Sequence, residues 1–381
     1  MTDAISVLIV DDSALMRNLI GRMVEETPGL VVADKAMNGL FALQKISRAP
    51  PDVIVLDLEM PDMNGIAFLK ERRRLALDIP VVILSSIAER GAAVTMEALA
   101  LGASDFIQKP SGAVSEDLRQ VRDLLVGMLL GYGGAYRRRQ GRKPPSAALV
   151  QAPPPGAGGD LLAHCKLSAS PRLGQGKPPP RLRSPGAVEI IAIGVSTGGP
   201  EVLRTVFAGL DAALRTPIVV VQHMPAGFTA EFARSLDRIC PLTVKEAEDG
   251  DPLLPGRILI AQGNKHLEVE RKALSQAARL TEAPPVSGHR PSVDVLFASV
   301  AKTFQNHALG VIMTGMGRDG AAELGTIYRE GGITLGQDEA SAVVYGMPRA
   351  AWELGHVMEQ VSLEAMAQRI CALARGGQGA G

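Results

Sequence analysis

Aromatic residues are scarce in this chain: they occupy 3% of its 381 positions, and only one is a tryptophan. Proteins that hold single-stranded nucleic acid stack the bases on aromatic side chains, so such a platform is not expected here. An excess charge of one sign is also lacking, because 40 Lys and Arg residues balance 40 Asp and Glu residues. That balance argues against a nucleic-acid clamp or a polybasic membrane binder.

Cysteines and long apolar runs are few as well. Cys165, Cys240 and Cys371 are odd in number, widely separated and without CxxC spacing, which predicts a reduced cytoplasmic protein with no zinc or redox motif. No stretch approaches the ~18 consecutive apolar residues of a membrane span. The first residues also lack the basic and apolar regions of a signal peptide, so we expect no direct membrane insertion.

With 46% hydrophobic residues the chain can bury a substantial core, and its length suggests two domains. Residues 137–186 differ from both flanks: they hold 10 of the 26 prolines, 7 glycines, 10 basic residues and a single acid, Asp160. This composition predicts a semi-stiff, mostly disordered tether. We therefore predict an N-terminal domain (1–130), a Pro/Gly/Arg-rich linker (131–186), a C-terminal domain (187–375) and a flexible tail (376–381).

Both flanks alternate short β-branched runs with amphipathic stretches, the pattern of parallel α/β sheets. In the first flank, strands are predicted at 7–10, 31–33, 53–56, 81–84 and 105–107. This spacing predicts five strand-helix units, and a doubly wound, mainly parallel α/β sheet is predicted for the second flank.

Polar residues follow four of the first domain's strands: Asp11 and Asp12, then Asp57, Ser85 and Lys109. Functional groups of an open parallel sheet gather beyond the carboxyl ends of its strands, so these side chains should meet. Clustered carboxylates repel each other unless a cation joins them, and their oxygens suit Mg²⁺. We expect Asp11, Asp12 and Asp57 to hold Mg²⁺, Asp57 to accept a phosphoryl group, and Lys109 and Ser85 to contact that group.

The alternative is that acids after strands only cap helices, which stays open for Asp12 and Ser13. Three segments nevertheless resemble the receiver domain of two-component response regulators: residues 10–13 (VDDS), 56–65 (LDLEMPDMNG) and 102–110 (GASDFIQKP). The resemblance covers residues 1–130 and implies a flavodoxin-like fold. It also implies a sensor histidine kinase that donates phosphate to Asp57, and a switch aromatic, Phe106, that moves with Ser85. Serine at position 85 departs from the commoner threonine.

In the second domain, Ser196 lies on a Gly-flanked turn (residues 194–200, GVSTGGP) between a predicted strand and a predicted helix. Such a turn exposes the hydroxyl at a helix N-terminus, where backbone N–H groups can receive an oxyanion. The pattern by itself also fits a Ser-Thr pair that caps a helix with Pro at its start. A phosphate-binding loop is disfavoured, since neither GxGxxG nor GK[ST] is present.

Two more strand ends favour nucleophilic catalysis. His223 follows the predicted strand 217–222, and Asp319 lies in the segment 314–320 (TGMGRDG) after the predicted strand 308–313. A serine nucleophile needs an adjacent base, and the base needs a carboxylate to orient it. We predict Ser196 as nucleophile, His223 as general base and then acid, Asp319 as orienting carboxylate, and the backbone N–H groups of Thr197 and Met316 as oxyanion hole.

Other histidines compete for the role of base. His266 and His289 lie in turn-like, Gly/Pro-rich segments, where a hydrogen-bonding role at the surface is expected. His307 and His356 fall in helix or loop patterns without a nearby acid, and Asp294 is an alternative carboxylate. No HExxH-type spacing supports a metal site, so no cofactor is expected for this domain.

The second domain resembles the catalytic domain of chemotaxis protein-glutamate methylesterases, in residues 194–200, 222–225 (QHMP), 289–294 (HRPSVD) and 313–320. The resemblance spans residues 187–373, and the order of the two domains matches the two-domain response-regulator methylesterases. It implies hydrolysis of glutamate γ-methyl esters, and deamidation of certain glutamines, on the cytoplasmic helices of chemoreceptors. The pairing of a phosphate acceptor with a hydrolase leads to a hypothesis of regulation, in which the unphosphorylated receiver covers the Ser196 cleft.

Two rivals remain at this point. One is a non-enzymatic phospho-switch whose second domain only binds a partner, and the other is the same hydrolase acting on a receptor-like protein outside chemotaxis. The first would show no ester hydrolysis; the sequence does not separate the second from the main interpretation.

Overall fold

The computed structural model describes residues 4–85, 89–109, 115–142, 180–273 and 275–376. Most of the predicted linker, including Cys165, lies outside these ranges, as does the tail after residue 376. Cys240 and Cys371 are free thiols. Among the described helices, none combines the length and the apolar character that a bilayer crossing requires.

The first domain is a parallel sheet of five described strands, in the order β2-β1-β3-β4-β5, with helices on its faces. The inner strands β1, β3 and β4 are rich in Val, Ile and Leu, and their near-complete burial fits a parallel sheet covered on both faces. Its elements are β1 (Ile5–Val10), α1 (Ala14–Glu25), β2 (Leu30–Ala36), α2 (Gly39–Arg48), β3 (Val53–Asp57), α3 (Gly65–Arg74), β4 (Val81–Ser85), α4 (Glu89–Ala100), β5 (Asp105–Gln108) and α5 (Ser115–Arg139).

Helix α5 runs well beyond residue 130, where the domain boundary was predicted. Its later turns bury Tyr132 and Tyr136 against the domain, and the Arg142 guanidinium just after the helix lies 2.6 Å from Asp52 Oδ1. Residues at the other end of the predicted linker also have fixed partners: Leu182 N–H donates to Arg329 O and Gly186 N–H to Asn306 O. Both ends of the tether are thus held by backbone or side-chain contacts.

The second domain contains a parallel sheet of seven described strands, in the order β14-β13-β12-β6-β7-β9-β8, and an antiparallel hairpin of β10 and β11. Its elements are β6 (Ile190–Val195), α6 (Gly199–Ala208), β7 (Ile218–Gln222), α7 (Thr229–Asp237), β8 (Thr243–Glu246), β9 (Arg257–Ile260), β10 (His266–Arg271), β11 (Gln276–Thr281), α8 (Val293–Phe304), β12 (Ala308–Ile312), α9 (Ala321–Arg329), β13 (Ile333–Gln337), α10 (Met347–Glu353), β14 (Glu359–Val361) and α11 (Leu363–Gly376). The predicted α/β fold class is confirmed in both domains.

The strand orders fix where functional groups collect. In the first sheet, the direction in which successive strands are added reverses between β1 and β3. In the second sheet, it reverses between β6 and its neighbour β12. Ligand sites of open α/β sheets lie beyond the carboxyl ends of the strands at such switch points. Asp11 and Asp12 follow β1, Asp57 is the last residue of β3, and Ser196 follows β6, so each group of predicted residues lies at a switch point.

Candidate active site

Ser196 directly follows β6, and its N–H donates to Thr314 O after the neighbouring strand β12 (3.0 Å). This cross-strand bond draws the segment 314–316 against the serine. Gly315 is required there, because a Cβ at that position would lie 2.9 Å from Ser196 Cβ and 2.3 Å from Met347 Sδ. The two loops that carry the predicted nucleophile and the predicted oxyanion donor Met316 are therefore in direct contact.

The structure brings Ser196, His223 and Asp319 together in a hydrogen-bonded chain. His223 Nδ1 lies 3.0 Å from Ser196 Oγ, and His223 Nε2 lies 2.8 Å from Asp319 Oδ2. A carboxylate can only accept, so Nε2 carries the proton and Nδ1 is left to accept from the serine hydroxyl. This tautomer has the basic nitrogen directed at the nucleophile.

The Asp319 carboxylate is buried at the N-terminus of α8, where backbone N–H groups favour an anion. Its Oδ2 accepts from Val293 N–H (2.7 Å), and its Oδ1 accepts from Ser292 Oγ (2.7 Å) and from Asp294 N–H (3.1 Å). Burial alone would raise the pKa of Asp319, but the bond and charge of His223 and these donors lower it to about 2. The group is thus ionised at neutral pH.

The helix-capping alternative for Ser196 and Thr197 does not describe the turn. The residue that caps α6 is Gly198, which has a φ of 84° and no side-chain cap. Within the described residues, Thr197 Oγ1 is buried without a hydrogen-bond partner, and the backbone N–H groups of Thr197 and Met316 donate to no acceptor. Both N–H groups predicted to form the oxyanion hole are thus free to donate, as far as the described part of the chain shows.

Two histidines were assigned to the surface, and both assignments were wrong. The His289 ring stacks on the ring of His223, with centroids 3.8 Å apart and planes 11° apart. His266 is fully buried: its Nε2–H donates to Pro284 O, and its Nδ1 accepts from Ser292 N–H. Turn-like neighbours in sequence did not reveal that the His266 ring is buried, or that the half-buried His289 ring lies against His223.

The remaining competitors lie outside the hydrogen-bonded chain. Asp294 is beside Asp319 but accepts from Ser287 Oγ and Glu323 N–H, and burial and the charge of Asp319 raise its pKa to about 6. His307 has an acid nearby after all, since Glu189 Oε1 lies 3.4 Å from its Nδ1. His356 Nδ1 donates to Ala321 O. The motif 289–294, noted above only as a point of resemblance, was the signal that could have placed His289 and Ser292 in the site.

The predicted acids of the first domain also meet. Lys109 Nζ lies 2.8 Å from Asp57 Oδ2 and 3.4 Å from Asp11 Oδ2. Burial and the charge of Asp57 raise the pKa of Asp11 against the opposing effect of Lys109. Burial alone would lower the pKa of Lys109, but its bonds to the two carboxylates raise it. Ser13, next to Asp12, does cap α1 through its hydroxyl, which accepts from Met16 N–H.

These acids fit a hard divalent cation. Asp11, Asp12 and Asp57 each offer a carboxylate oxygen, and the three oxygens lie within 4.8 Å of one another. In the described part of the chain, the buried Asp11 Oδ2 makes no hydrogen bond beyond its 3.4 Å ion pair with Lys109 Nζ. Carboxylate oxygens grouped in this way are the donor set that Mg²⁺ prefers.

The two other predicted residues of the first domain, Ser85 and Phe106, have different kinds of partner. Ser85 Oγ lies 2.6 Å from Thr95 Oγ1 of the same domain. Phe106, on the neighbouring strand, is 7% exposed and stacks on Phe228 of the second domain, with centroids 5.0 Å apart. The predicted switch aromatic is thus part of the contact between the domains.

Polar contacts join the domains beside the nucleophile. Asp105 Oδ2 accepts from Gly198 N–H at the start of α6 (2.7 Å), and Tyr132 Oη lies 3.3 Å from the same oxygen. Burial raises the pKa of Asp105 to about 7, although these donors act in the opposite direction. This contact was not predicted, because the sequence gives no sign that Asp105 faces another domain.

Helix α5 completes the contact through two glycines one turn apart. A Cβ at Gly127 would lie 3.1 Å from Met316 Sδ, and a Cβ at Gly131 would lie 2.7 Å from Val343 O. The loops after β12 and β13 therefore pack on bare helix backbone. Between the domains remains a cavity of about 410 Å³, whose lining includes Ser196, His223 and His289 from one side and residues of β5 and α5 from the other.

Fold and site together define a class of protein: a receiver domain docked over an α/β domain of the serine-hydrolase type. The family model described as CheB methylesterase matches residues 191–370, and the response regulator receiver domain matches residues 7–121. Proteins named protein-glutamate methylesterase/protein-glutamine glutaminase from Treponema denticola and Treponema pallidum are 60% and 53% identical to this chain. The alignments cover 96% and 97% of this chain, and 97% of each relative.

The crystal structure of the Thermotoga maritima CheB methylesterase catalytic domain shares 35% identity, with a TM-score of 0.48, over 49% of this chain and 99% of that one. The near-complete match to the Treponema proteins shows the particular family. The chain belongs to the protein-glutamate methylesterase/protein-glutamine glutaminase family.

Proposed function

We propose that this chain hydrolyses glutamate γ-methyl esters, and deamidates certain glutamines, on chemoreceptor cytoplasmic helices during sensory adaptation. The observation that carries the proposal is the hydrogen-bonded chain Ser196–His223–Asp319 at the switch point of the second sheet, in a member of this family. The arrangement supplies each group that acyl transfer from a serine requires.

In the acylation step, His223 Nδ1 takes the proton of Ser196 as Oγ attacks the γ-carbonyl carbon of the substrate. The negative charge that develops on the carbonyl oxygen is received by the N–H groups of Thr197 and Met316. Loss of one such donor typically costs ~100- to 1000-fold in rate. Asp319 stabilises the imidazolium of His223 through Nε2, and collapse of the intermediate expels methanol, which takes the proton from Nδ1.

In the deacylation step, His223 activates a water molecule that attacks the acyl-Ser196 ester. The products are a glutamate carboxylate and the free serine. A glutamine side chain follows the same route with ammonia as the leaving group, so one site supports both activities. No step calls for a cofactor in this domain.

For the receiver, we propose that a sensor histidine kinase donates a phosphoryl group to Asp57. Asp11, Asp12 and Asp57 would hold Mg²⁺, which neutralises charge on phosphoryl oxygens when bound. Lys109 pairs with the phosphoryl oxygens, and the Ser85 hydroxyl turns towards them. The proximity of Lys109 to Asp57 and Asp11 supports these roles.

Regulation follows from the position of the receiver. β5 and α5 form one wall of the cavity that contains Ser196, which leaves little room for a receptor helix. We propose that the unphosphorylated receiver blocks the site, and that phosphorylation of Asp57 withdraws Phe106 from Phe228 as Ser85 moves. The Phe106–Phe228 stack supports this route, since Phe106 lies on β5, beside the strand that ends at Ser85, and contacts the second domain.

The test is methanol release from a methylated chemoreceptor fragment, with and without a small phosphodonor and Mg²⁺. We expect release by the wild-type protein, stimulation by the phosphodonor, and loss of release in Ser196→Ala. Activity that survives Ser196→Ala would overturn the proposed triad. A folded protein that neither releases methanol nor reacts at Ser196 with a fluorophosphonate would instead favour a non-enzymatic switch.

A further inference from the structure

His289 lies outside the Ser196–His223–Asp319 chain, yet it covers one face of the histidine in that chain. The two imidazole rings are nearly parallel, 11° apart, with centroids separated by 3.8 Å. Both nitrogens of His223 are already used in the plane of its ring, one towards Ser196 and the other towards Asp319. The stack therefore supplies a contact perpendicular to the two hydrogen bonds.

The chain fixes His289 firmly in this position. Val286 and His289 exchange both backbone hydrogen bonds across a two-residue turn, in which Ser287 and Gly288 have φ of 53° and 78°. Positive φ at both central residues is typical of a type I′ turn. On the other side, the Arg290 guanidinium donates to Asn264 Oδ1 (2.7 Å) and anchors the segment.

The same segment also holds the other end of the triad. Two and three residues after Arg290, Ser292 Oγ and Val293 N–H donate to the Asp319 carboxylate. One short segment thus contacts both the face of His223 and the carboxylate that orients it. Movement of either contact would be transmitted to the other.

Within the described residues, neither ring nitrogen of His289 makes a hydrogen bond. The contact of His289 with His223 is therefore made by the face of its ring. Burial, and next the charge of His223, lower the pKa of His289 to about 4. The ring is therefore neutral near pH 7. A neutral ring can lie against the imidazolium that forms during catalysis, whereas a second cation would repel it.

Two in-plane hydrogen bonds leave a ring free to tilt about the line that joins its nitrogens. The restraint weakens further in the acyl-enzyme, where Ser196 Oγ no longer carries a proton to donate. We propose that His289 is a positioning residue: its imidazole, stacked on His223, holds the base in plane with Ser196 and Asp319 through both halves of the reaction. The inference rests on the proposed hydrolase function of this site.

The test compares His289→Ala, which removes the ring, with His289→Phe, which keeps a flat ring without nitrogens. His289→Leu fills the volume without a ring, and it replaces the alanine variant if that variant does not fold. His307→Ala is the matched control, because His307 bonds to Ala187 O and does not contact the triad. Each full-length protein is saturated with a small phosphodonor and Mg²⁺, and kcat and KM for methanol release are measured.

We expect His289→Ala or His289→Leu to lower kcat by ~10-fold, which corresponds to the loss of one stacked ring contact. The loss should reach ~100-fold if the His223 ring shifts by about 1 Å. KM should stay within about twofold of the wild-type value, because the ring is proposed to contact His223 and not the substrate. His289→Phe should retain kcat within about threefold of wild type, and His307→Ala should match wild type.

Three results would overturn the inference. Equal losses of kcat in His289→Phe and His289→Ala would assign the effect to the ring nitrogens. A change confined to KM would show that His289 contacts the substrate. An unchanged kcat and KM in His289→Ala would exclude any role. The rate of Ser196 labelling by a fluorophosphonate is measured in parallel. Slow labelling in His289→Ala, with normal labelling in His289→Phe, supports the positioning role even if the receptor ester is not the substrate. The labelling rate therefore distinguishes failure of the positioning role from failure of the proposed substrate.

Discussion

Gly131→Ala provides the sharpest test of whether docking of the receiver limits the activity of the unphosphorylated protein. The added Cβ would lie 2.7 Å from Val343 O and 2.9 Å from Val344 Cγ2, both in the second domain. The Val344 backbone cannot easily retreat, because its N–H donates to Thr314 Oγ1 and its carbonyl accepts from Gly315 N–H. The clash is therefore relieved by separation of α5 from the second domain.

The magnitude follows from the cost of overpacking, ~1–3 kcal/mol for an extra methyl group in a close-packed contact. Alanine also stabilises a helix by about 1 kcal/mol relative to glycine, but that gain is the same in the docked and undocked states and cancels. A shift of ~1–3 kcal/mol towards the undocked state corresponds to a factor of ~5 to ~150 in the docking equilibrium. The basal rate should rise by this factor, up to the phosphorylated rate as a ceiling.

The assay is the initial rate of methanol release without phosphodonor, normalised to the rate with phosphodonor and Mg²⁺. Gly134→Ala is the matched control, since it changes the same helix, but the heavy atom nearest to its Cβ, Arg138 Nη1, would be 3.7 Å away. Gly127→Ala should fall between the two, because its neighbour at 3.1 Å is the flexible tip of Met316. Equal basal rates in Gly131→Ala and Gly134→Ala would refute the argument that this contact restrains the enzyme.

Three further predictions use the same assay. Asp319→Asn should lower kcat by ~10⁴-fold, because an amide favours the wrong tautomer of His223, and a near wild-type single-turnover rate would contradict the triad. Asp57→Asn should leave the basal rate within about twofold and abolish stimulation by the phosphodonor; persistent stimulation would point to another acceptor. Burial raises the pKa of Asp105 from 3.8 to about 7 when the domains are docked. An undocked state that exposes Asp105 binds this proton less tightly, so docking weakens as the pH rises from about 4 to 7. The ratio of basal to stimulated rate should therefore rise over this range in the wild type and stay flat in Asp105→Asn, which cannot ionise; identical profiles would exclude Asp105 as the titrating group.

The residues that follow strands could be predicted because their position depends on local pattern and on one general rule. Ser196 and His223 each come directly after a buried apolar run, and parallel strands align their carboxyl ends. Once the strands are identified, the side chains that follow neighbouring strands must converge. The same reasoning brought Asp11, Asp57 and Lys109 together.

His289 could not be found in this way, because its contact with His223 depends on how a loop folds back over the sheet. Its neighbours Ser287 and Gly288 indicate a turn, and a turn is ordinarily at the surface. The sequence does not say which way the residue after the turn points. His266 was misplaced for a similar reason: the turn at Gly263 and Asn264 precedes it, yet its ring is buried with both nitrogens satisfied.

Helix α5 continues to Arg139, past the domain boundary predicted at residue 130. Gly127 and Gly131 each cost that helix stability. In the structure they leave room for Met316, Val343 and Val344 of the other domain. A packing requirement between domains thus offsets the local preference, and a single-domain argument cannot detect it.

Docking and catalysis use the same loops of the second domain. The Gly198 N–H, which donates to Asp105, immediately follows the Thr197 N–H proposed for the oxyanion hole. Met316 packs on α5 and also carries the other proposed oxyanion donor. Substitutions in these loops would therefore change the stimulated rate together with the basal rate. On the receiver side, Gly131 and Asp105 perform no chemistry, so substitutions there should change the basal rate alone. This asymmetry implies that the strength of inhibition can be adjusted on the receiver side independently of catalytic power, whereas the catalytic face is constrained by its second role.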